Sequence, residues 1–326
     1  KEAEYYQTIF DDIKPDIVFS TFSVVKNESL PLYVAKNMGV KTVVNITSWD
    51  NISSKGRLAY DLDCYLAWSK NMKHEILDFH ETLLEKNVKI VGTPQFDFHI
   101  KNKLKIPRRD FCNQYGLNPN KKIILFSGVT PSLMPYEHLL VEEIIRNISN
   151  GNIKDNPQLI VRPHPVDNLD RYKTFEQDNP EIFFIKPSDK SINGMRNMIG
   201  STNDLKLHIN SVVHCDLNLN VFSTMTLDAA IFNKPIINIA FEVKPENTPK
   251  CFGIEIHNCT HFKPLLKTNG VKIAFSIEEL INHSNSYLLN PNVDEKNRKK
   301  IVDVICGNVD GNAGIRISQL LKELAS

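Results

Sequence analysis

Residues Val221–Phe241, VFSTMTLDAAIFNKPIINIAF, contain the pattern that decides the fold. The pattern predicts a turn, a short helix, a second turn and a buried strand. Ser223, Thr224 and Thr226 place hydroxyl groups where the helix begins, and a helix start leaves backbone N–H groups without intrahelical partners. Such a helix start attracts anions, although an ordinary capped helix in an α/β sheet explains the segment equally well.

Asp228 follows one helical turn into the same segment. Because a carboxylate repels phosphate and accepts hydrogen bonds, we expect Asp228 to bind sugar hydroxyls rather than an anion. A hydroxyl-rich helix start beside an acid is the combination that a nucleotide or phosphosugar site needs.

On both sides of this segment, apolar runs bounded by turns alternate with helix-period segments, which is typical of α/β units with parallel strands. Between Phe98 and Asn120 the sequence becomes basic and rich in turn residues, so we place the domain boundary there. The prediction is an α/β protein with a first domain over residues 1–104 and a second over residues 105–326. Since the chain opens with Lys1 directly on a helix-then-strand pattern, we expect the first domain to be N-terminally truncated.

Composition narrows the function classes. The chain has 326 residues, of which 41% are hydrophobic and 24% charged, as in soluble globular proteins of more than one domain. A net charge of +1 provides no field that would attract nucleic acid. The six cysteines form no CxxC pair, so we expect reduced thiols in a cytosolic protein and no zinc site. No apolar run approaches the roughly 20 residues of a membrane span.

Ligands of an open parallel sheet bind beyond the carboxyl ends of its strands. Four predicted strand ends lead into polar loops: Trp49–Asn51 in the first domain, and Gly128–Thr130, Arg162–Pro165 and Ser223–Thr224 in the second. We expect the last three loops to share one rim, with Gly128 and Thr130 among the nucleotide contacts. The first loop can then face that rim across a cleft.

Arg162 offers a forked guanidinium that suits phosphate oxygens. His164 stands between two prolines, which stiffen its backbone, and suits hydrogen bonding to a diphosphate or proton donation to its leaving oxygen. The alternative is an arginine and a histidine that only bind carboxylates within the loop.

The loop of the first domain combines Trp49, Asp50, Asn51 and Lys55. An aromatic ring, a carboxylate, an amide and a cation together suit a sugar, and Asp50 could act as general base on an acceptor hydroxyl. The alternative is an Asp-Asn turn with Trp49 packed beneath it.

Several motifs, taken in order, resemble those of the GT-B superfamily of nucleotide-sugar-dependent transferases. They are IVGTPQFD (Ile90–Asp97), ILFSGV, VRPHP and FSTMTLDAAIFNKPIIN. Within that superfamily the chain is most similar to the surface-polysaccharide group, which includes CDP-glycerol glycerophosphotransferase-like proteins and is adjacent to non-hydrolysing UDP-GlcNAc 2-epimerases. The loop SWDNISSKG, which ends at Gly56, is similar to a WDN-x-[ST]-x-KG element of bacterial surface-polysaccharide synthesis proteins. The resemblance runs from about Asp16 to about Ala313.

This resemblance implies two Rossmann-like domains that face each other across a cleft, with the donor nucleotide held mainly by the second. It also implies that the C-terminal helix could pack back on the first domain. Arg162 and His164 match the family's RPHP element near the donor phosphates, and Ser223 and Thr224 match its helix-start phosphate contacts.

The chain departs from the family pattern at three places. Asp228 replaces the common Glu, which shortens its reach, and Asn233 replaces Gly in the G-K-P turn, where Asn tolerates a left-handed backbone. The usual N-terminal glycine-rich loop is absent, as expected for a truncated first domain.

The sequence therefore predicts a metal-independent GT-B glycosyltransferase that builds a surface polysaccharide. Its donor is a nucleotide sugar, a co-substrate rather than a cofactor, and its acceptor is a glycan or a lipid-linked glycan. We expect a cytoplasmic location, with association at the inner face of the membrane left open. The alternatives are a CDP-glycerol-type glycerophosphotransferase, a non-hydrolysing UDP-GlcNAc 2-epimerase and a non-catalytic polysaccharide-assembly module.

Overall fold

The computed structural model describes residues 1–21, 26–55, 61–172, 182–185, 191–192, 195–196 and 201–326. Gly56 of the SWDNISSKG loop lies outside these residues. The chain divides into two compact units, one formed by Lys1–Lys101 with Val302–Ser326 and the other by Asn102–Ile301. Elements are numbered along the whole chain.

The first unit contains a four-stranded parallel sheet in the order β1-β2-β3-β4. Its strands are β1 (Ile17–Ser20), β2 (Lys41–Asn45), β3 (Cys64–Ala67) and β4 (Val88–Ile90). Its helices are α1 (Glu2–Ile13), α2 (Lys26–Asn37), α3 (Asn51–Ser54), α4 (Lys70–Phe79), α5 (Asp97–Ile100) and the C-terminal α13 (Ala313–Ala325).

The C-terminal helix α13 belongs to the core of the first unit. Ile317 lies in a buried cluster with residues of β2 and β3, and the leucines that follow on the same helix face pack against that cluster. Asp97 accepts hydrogen bonds from the backbone N–H groups of Ala313 and Gly314, both at 3.0 Å. The carboxylate thus satisfies donors that the start of α13 leaves without intrahelical partners.

The second unit contains a six-stranded parallel sheet in the order β12-β11-β10-β5-β6-β7. Its strands are β5 (Ile123–Ser127), β6 (Gln158–Arg162), β7 (Ile182–Phe184), β10 (Leu217–Asn220), β11 (Ile236–Ile239) and β12 (Lys272–Ala274), and a separate antiparallel ladder joins β8 (Ser191–Ile192) to β9 (Met195–Arg196). Its helices are α6 (Arg108–Gln114), α7 (Glu137–Ser149), α8 (Thr202–His214), α9 (Met225–Ile231), α10 (Phe262–Leu266), α11 (Ile277–Leu289) and α12 (Glu295–Ile301).

The strand order of the second unit places a topological switch point between β5 and β10. From β5 the chain proceeds outward through β6 and β7, and later strands are added on the other side of β5. In open parallel sheets, ligands bind at the carboxyl ends of the strands near such a point. The predicted α/β class with two parallel-sheet domains is confirmed.

Among the described helices, none is both long enough and apolar enough to cross a membrane.

Candidate functional site

Four polar residues form a row across the carboxyl ends of the central strands in the second unit. Asn220 of β10 pairs in register with Asn238 of β11 on one side and with Ser127 of β5 on the other. Ser127 in turn pairs with Arg162 of β6. Three of the predicted ligand loops leave the sheet directly after this row, so the topology brings them to the same edge.

The Arg162 guanidinium lies beside the start of α9. Its Nη1 atom is 3.4 Å from Sδ of Met225, the first residue of that helix. Burial lowers the pKa of Arg162, and the carboxylates of Asp228 and Asp204 oppose the shift. Within the described part of the chain, Arg162 forms no ion pair with a carboxylate. The side chain is therefore a partly buried cation with capacity for an anion.

His164 is two residues further along the chain and is half-buried. Its Nδ1 atom accepts a hydrogen bond of 3.3 Å from the Val166 backbone N–H, which assigns the ring proton of the neutral form to Nε2. Burial lowers the pKa of His164, and the neighbouring Arg162 cation lowers it further. His164 is therefore a neutral N–H donor at physiological pH.

Gly128 allows β5 and β6 to continue into closely packed loops. Its N–H donates to the Arg162 carbonyl at 2.8 Å. A Cβ atom at position 128 would lie 2.5 Å from Oε2 of Glu137 and 3.1 Å from the backbone nitrogen of His164. The hydroxyl of Thr130, further along the loop, is 2.9 Å from the Ser132 hydroxyl. A side chain at position 128 would therefore push the loops apart.

Glu137, the first residue of α7, supports the same loop and was not predicted from the sequence. It is fully buried, and its Oε1 atom accepts a hydrogen bond of 2.8 Å from the Val129 N–H. Burial raises the pKa of Glu137 to about 8. The Tyr172 hydroxyl lies 3.4 Å from Oε2 of Glu137 and 3.1 Å from Asp167. An acid at the start of an apolar-periodic helix was the available signal, but that pattern usually indicates an exposed helix end.

The start of α9 has fewer unpaired donors than the sequence predicts. Ser223 N–H donates to Oδ1 of Asn220 at 2.9 Å, and Met225 N–H is 3.3 Å from the Ser223 hydroxyl. Thr226 is fully buried, and its hydroxyl is bonded to Asn220. The groups without a hydrogen-bond partner among the described residues are the Thr224 N–H and hydroxyl. The expected contacts of Ser223 and Thr224 with a phosphate stay predictions.

Asp228 is buried on the inner side of α9, at 7% exposure. Its Oδ2 atom is 3.7 Å from Nε2 of His208 on α8, and its charge favours the protonated form of Arg162. This pairing was not predicted from the sequence, because it depends on how α8 and α9 meet. The predicted sugar contact of Asp228 stays a prediction.

Asn233 adopts the left-handed backbone conformation that its place in the Lys-Pro turn requires, with φ of 54°. Its side-chain oxygen accepts a hydrogen bond of 3.1 Å from Nε of Arg298. Asparagine therefore replaces glycine here without losing the turn, as the sequence suggested.

The candidate loop of the first unit uses its polar groups internally. Trp49 is buried, at 6% exposure, and Asn51 is also buried. Each carboxylate oxygen of Asp50 accepts a hydrogen bond from a serine hydroxyl. Oδ1 accepts from Ser48, and Oδ2 accepts from Ser54 at 2.7 Å. The Asn51 side chain accepts the Ser48 N–H at 3.0 Å. The sequence left two interpretations open, a sugar-binding loop and an Asp-Asn turn with Trp49 packed beneath it. The buried position of Trp49 agrees with the second.

Lys55 ends α3 and is exposed. The predicted contacts of Trp49, Asp50, Asn51 and Lys55 with a sugar or acceptor stay predictions.

The edge of the second unit can thus bind an anion. It combines a guanidinium without an ion pair among the described residues, a neutral histidine that donates through Nε2, and hydroxyl and backbone donors of the Ser223–Thr224 turn. A diphosphate, with several oxygens to satisfy, suits this spread of donors.

No protein-family model matches the sequence, and a search of curated proteins finds no match. Solved structures do match in three dimensions. The UDP-GlcNAc 2-epimerase of Methanocaldococcus jannaschii has a TM-score of 0.63 at 17% identity, with 98% of this chain and 80% of that chain covered. The chain has a GT-B-like fold.

Two further structures show the same similarity. The UDP-GlcNAc 2-epimerase of Neisseria meningitidis, solved with UDP-GlcNAc bound, has a TM-score of 0.60 at 12% identity over 98% of this chain and 80% of that chain. A glycosyltransferase of Rickettsia africae has a TM-score of 0.53 at 14% identity over 99% and 80%. The fold implied by the resemblance seen in the sequence is therefore supported, whereas its CDP-glycerol transferase part stays a prediction.

Proposed function

We propose that this protein is an enzyme that acts on a nucleoside-diphosphate sugar. The observation that carries the proposal is the Arg162 guanidinium, partly buried at a strand end beside the topological switch point and without an ion pair among the described residues. Keeping such a cation partly buried without a direct ion pair is unfavourable unless an anion binds to it. A diphosphate supplies that anion.

The neighbouring groups suit a diphosphate that becomes a leaving group. Arg162 would neutralise the developing charge, and the Nε2–H of His164 would donate to a phosphate oxygen. Ser223 and Thr224 would donate hydrogen bonds to the remaining phosphate oxygens. The Asp228 carboxylate would accept a hydrogen bond from a hydroxyl of the sugar or ribose. Gly128 and Thr130 would line the nucleotide.

Epimerisation of a UDP-linked amino sugar is the first candidate reaction. The similar structures include UDP-GlcNAc 2-epimerases from an archaeon and a bacterium, one of them with UDP-GlcNAc bound. These similarities favour the epimerase alternative over the glycosyl transfer predicted from the sequence.

Glycosyl transfer to a surface glycan is the second candidate. It is favoured by the similarity to the Rickettsia africae glycosyltransferase and by the loop that contains Trp49 and Asp50. In that reaction Asp50 would accept the proton of the acceptor hydroxyl, and no metal ion would be needed. The reaction would take place in the cytoplasm, where the protein could associate with the inner face of the membrane.

Incubation of the protein with UDP-GlcNAc, followed by proton NMR of the anomeric signals, separates these reactions. An epimerase produces UDP-ManNAc without any acceptor, whereas a transferase releases UDP only when a glycan acceptor is added. Turnover of CDP-glycerol alone would instead favour a glycerophosphotransferase.

Calorimetric titration with UDP, CDP and GDP tests the proposal itself, with the Arg162→Ala variant as the control for site-specific binding. If none of the three nucleotides binds, the proposal is contradicted, because a site for a nucleoside-diphosphate sugar should also bind the nucleoside diphosphate.

A further inference from the structure

Three asparagines lie on one face of the neighbouring strands β10 and β11. Asn218, Asn220 and Asn238 are each fully buried. Parallel strands that are covered on both faces usually carry Val, Ile or Leu there, and buried amides are costly unless they are hydrogen-bonded. Oδ1 of Asn238 has no hydrogen-bond partner among the described residues. An apolar face would be the more stable choice, so the cluster points to a role other than stability.

Asn220 is the centre of this cluster. Its Oδ1 atom accepts three hydrogen bonds, from the Ser223 N–H at 2.9 Å, the Thr226 hydroxyl at 3.1 Å and the Asn238 amide at 3.0 Å. Its amide group donates to Oδ1 of Asn218 at 2.7 Å. One side chain therefore ties the end of β10 to the turn after it, to the first turn of α9 and to β11.

The turn that Asn220 holds is not one that the backbone prefers. Phe222 has φ of 47°, a left-handed conformation that is unfavourable for residues other than glycine. The Ser223 N–H that bonds to Asn220 follows directly after Phe222. This hydrogen bond fixes the chain direction at the point where it leaves the left-handed residue.

The cluster also reaches the neighbouring loop of the site. The Asn218 amide lies 3.4 Å from both the Leu125 carbonyl and the Ser127 hydroxyl on β5, and Gly128 follows Ser127. The amides therefore connect the two strand ends on either side of the switch point.

We propose that Asn220 is a positioning residue, which holds the turn Val221–Thr224 in the shape that presents Ser223 and Thr224 to the diphosphate. The role in ligand binding rests on the proposed function, whereas the role in holding the turn does not. Asn220 itself is fully buried and is not assigned a contact with the ligand.

The test compares Asn220→Ala with Asn147→Ala. Asn147 is also buried and forms three hydrogen bonds, two to Glu143 and one from Asn152, but it lies near the end of α7 where the chain returns to the amino ends of the strands. Both variants lose hydrogen bonds of a buried amide, so both should unfold at a lower temperature.

UDP affinity, measured by calorimetry, separates the two variants. We expect Asn220→Ala to weaken UDP binding about 10-fold, roughly the effect of losing one hydrogen bond to a charged ligand, while Asn147→Ala binds as the wild type does. Asn238→Ala keeps the bond between Asn220 and the Ser223 N–H and should change affinity by less than about 3-fold. Equal affinities of Asn220→Ala and Asn147→Ala would overturn the proposal.

Hydrogen exchange of the peptide 221–226, followed without ligand, measures the turn independently of any nucleotide. Faster exchange in Asn220→Ala than in Asn147→Ala supports the positioning role, and equal exchange overturns it. If the wild type binds none of UDP, CDP and GDP, the proposed function fails together with the ligand role of Asn220. The exchange result still decides whether Asn220 holds the turn.

Discussion

Two polar loops of this protein follow strand ends, but their side chains are bonded in different ways. In the Trp49–Lys55 loop of the first unit, the carboxylate and amide groups are bonded to serines of the same loop, and Trp49 is buried. At the Arg162–His164 loop of the second unit, the guanidinium has no ion pair among the described residues and the histidine presents Nε2–H.

The difference shows that residue type alone does not make a binding site. In the first loop short side chains lie within reach of each other and satisfy their hydrogen bonds locally. Beside the second loop, the buried side chains of Glu137 and Asn220 accept backbone N–H groups of the two neighbouring loops, at Val129 and Ser223. The functional side chains therefore keep capacity for a ligand.

The largest expected effect is that of Arg162→Ala. It should weaken UDP binding on the order of 100-fold, because charge-assisted hydrogen bonds contribute roughly 1.5–3 kcal/mol each. Arg162→Lys should recover part of this affinity, since a lysine keeps the charge but not the fork. Calorimetric titration gives both values.

The stability of the Arg162→Ala variant is a second readout. The thermal midpoint should remain close to that of the wild type, because the variant loses a partly buried cation that has no ion pair within the described chain. Arg146→Ala, an exposed arginine on α7, is the matched control and should bind UDP normally. If Arg162→Ala and Arg146→Ala lose UDP affinity equally, the Arg162–His164 loop is not a specific binding site for the nucleotide.

Gly128→Ala should have the next largest effect. The added Cβ would lie 2.5 Å from Oε2 of Glu137 and 3.1 Å from the His164 nitrogen, so it forces the loops apart. We expect a loss of about 1–3 kcal/mol of unfolding free energy, as for other overpacked sites, together with weaker UDP binding. Urea denaturation and calorimetry measure the two effects.

Gly151→Ala provides the comparison for position 128. It strains a left-handed glycine with φ of 72° but meets no atom within 4 Å, so stability should fall while UDP binding is unchanged. Unaltered UDP binding in Gly128→Ala would show that the packing of this loop is not needed for the ligand.

Glu137→Gln should change the pH dependence of stability. Burial raises the pKa of Glu137 from 4.5 to about 8, so between these values the folded protein holds a proton that the unfolded chain releases. The contribution of Glu137 to the free energy of unfolding therefore decreases as the pH rises from about 4.5 to about 8. The glutamine cannot ionise, so this decrease should disappear, as urea denaturation at pH 5 and pH 8 would show.

The control for this experiment is Glu142→Gln, a more exposed acid on the same helix that pairs with Arg146. Its pH profile should follow that of the wild type. A Glu137→Gln profile identical to the wild type would mean that Glu137 is ionised in the folded protein.

The smallest effect on nucleotide binding is expected for Asp50→Asn. UDP affinity should stay within about 2-fold of the wild type, since the Asp50 oxygens accept hydrogen bonds from Ser48 and Ser54 of the same loop and the nucleotide is assigned to the second unit. If Asp50 is the general base of a glycosyl transfer, kcat with an acceptor should fall while UDP affinity persists. A large loss of UDP affinity would overturn the assignment of the nucleotide to the second unit.

Sequence patterns predicted the strands of the site closely and other elements less well. An apolar run that ends at a proline predicts a strand over Gln158–Arg162, and the structure has β6 with those bounds. The helical period of residues Asn71–Lys86 predicts a helix over that range, whereas α4 ends at Phe79. No sequence pattern predicted β12 or α11. A strand of three residues such as β12 has too little pattern of its own and depends on pairing with β11.

The sequence by itself determined the α/β class, the three polar loops of the second unit and the order of motifs that links them. Each depends on local periodicity, on turn residues and on the chain direction of parallel strands. Only the tertiary structure decided that Asn220 and Glu137 support those loops and that the Trp49 loop satisfies its own polar groups. These hydrogen-bond partners are near each other in sequence, but the burial and direction of each side chain depend on how the strands and helices pack, so no local pattern specifies them.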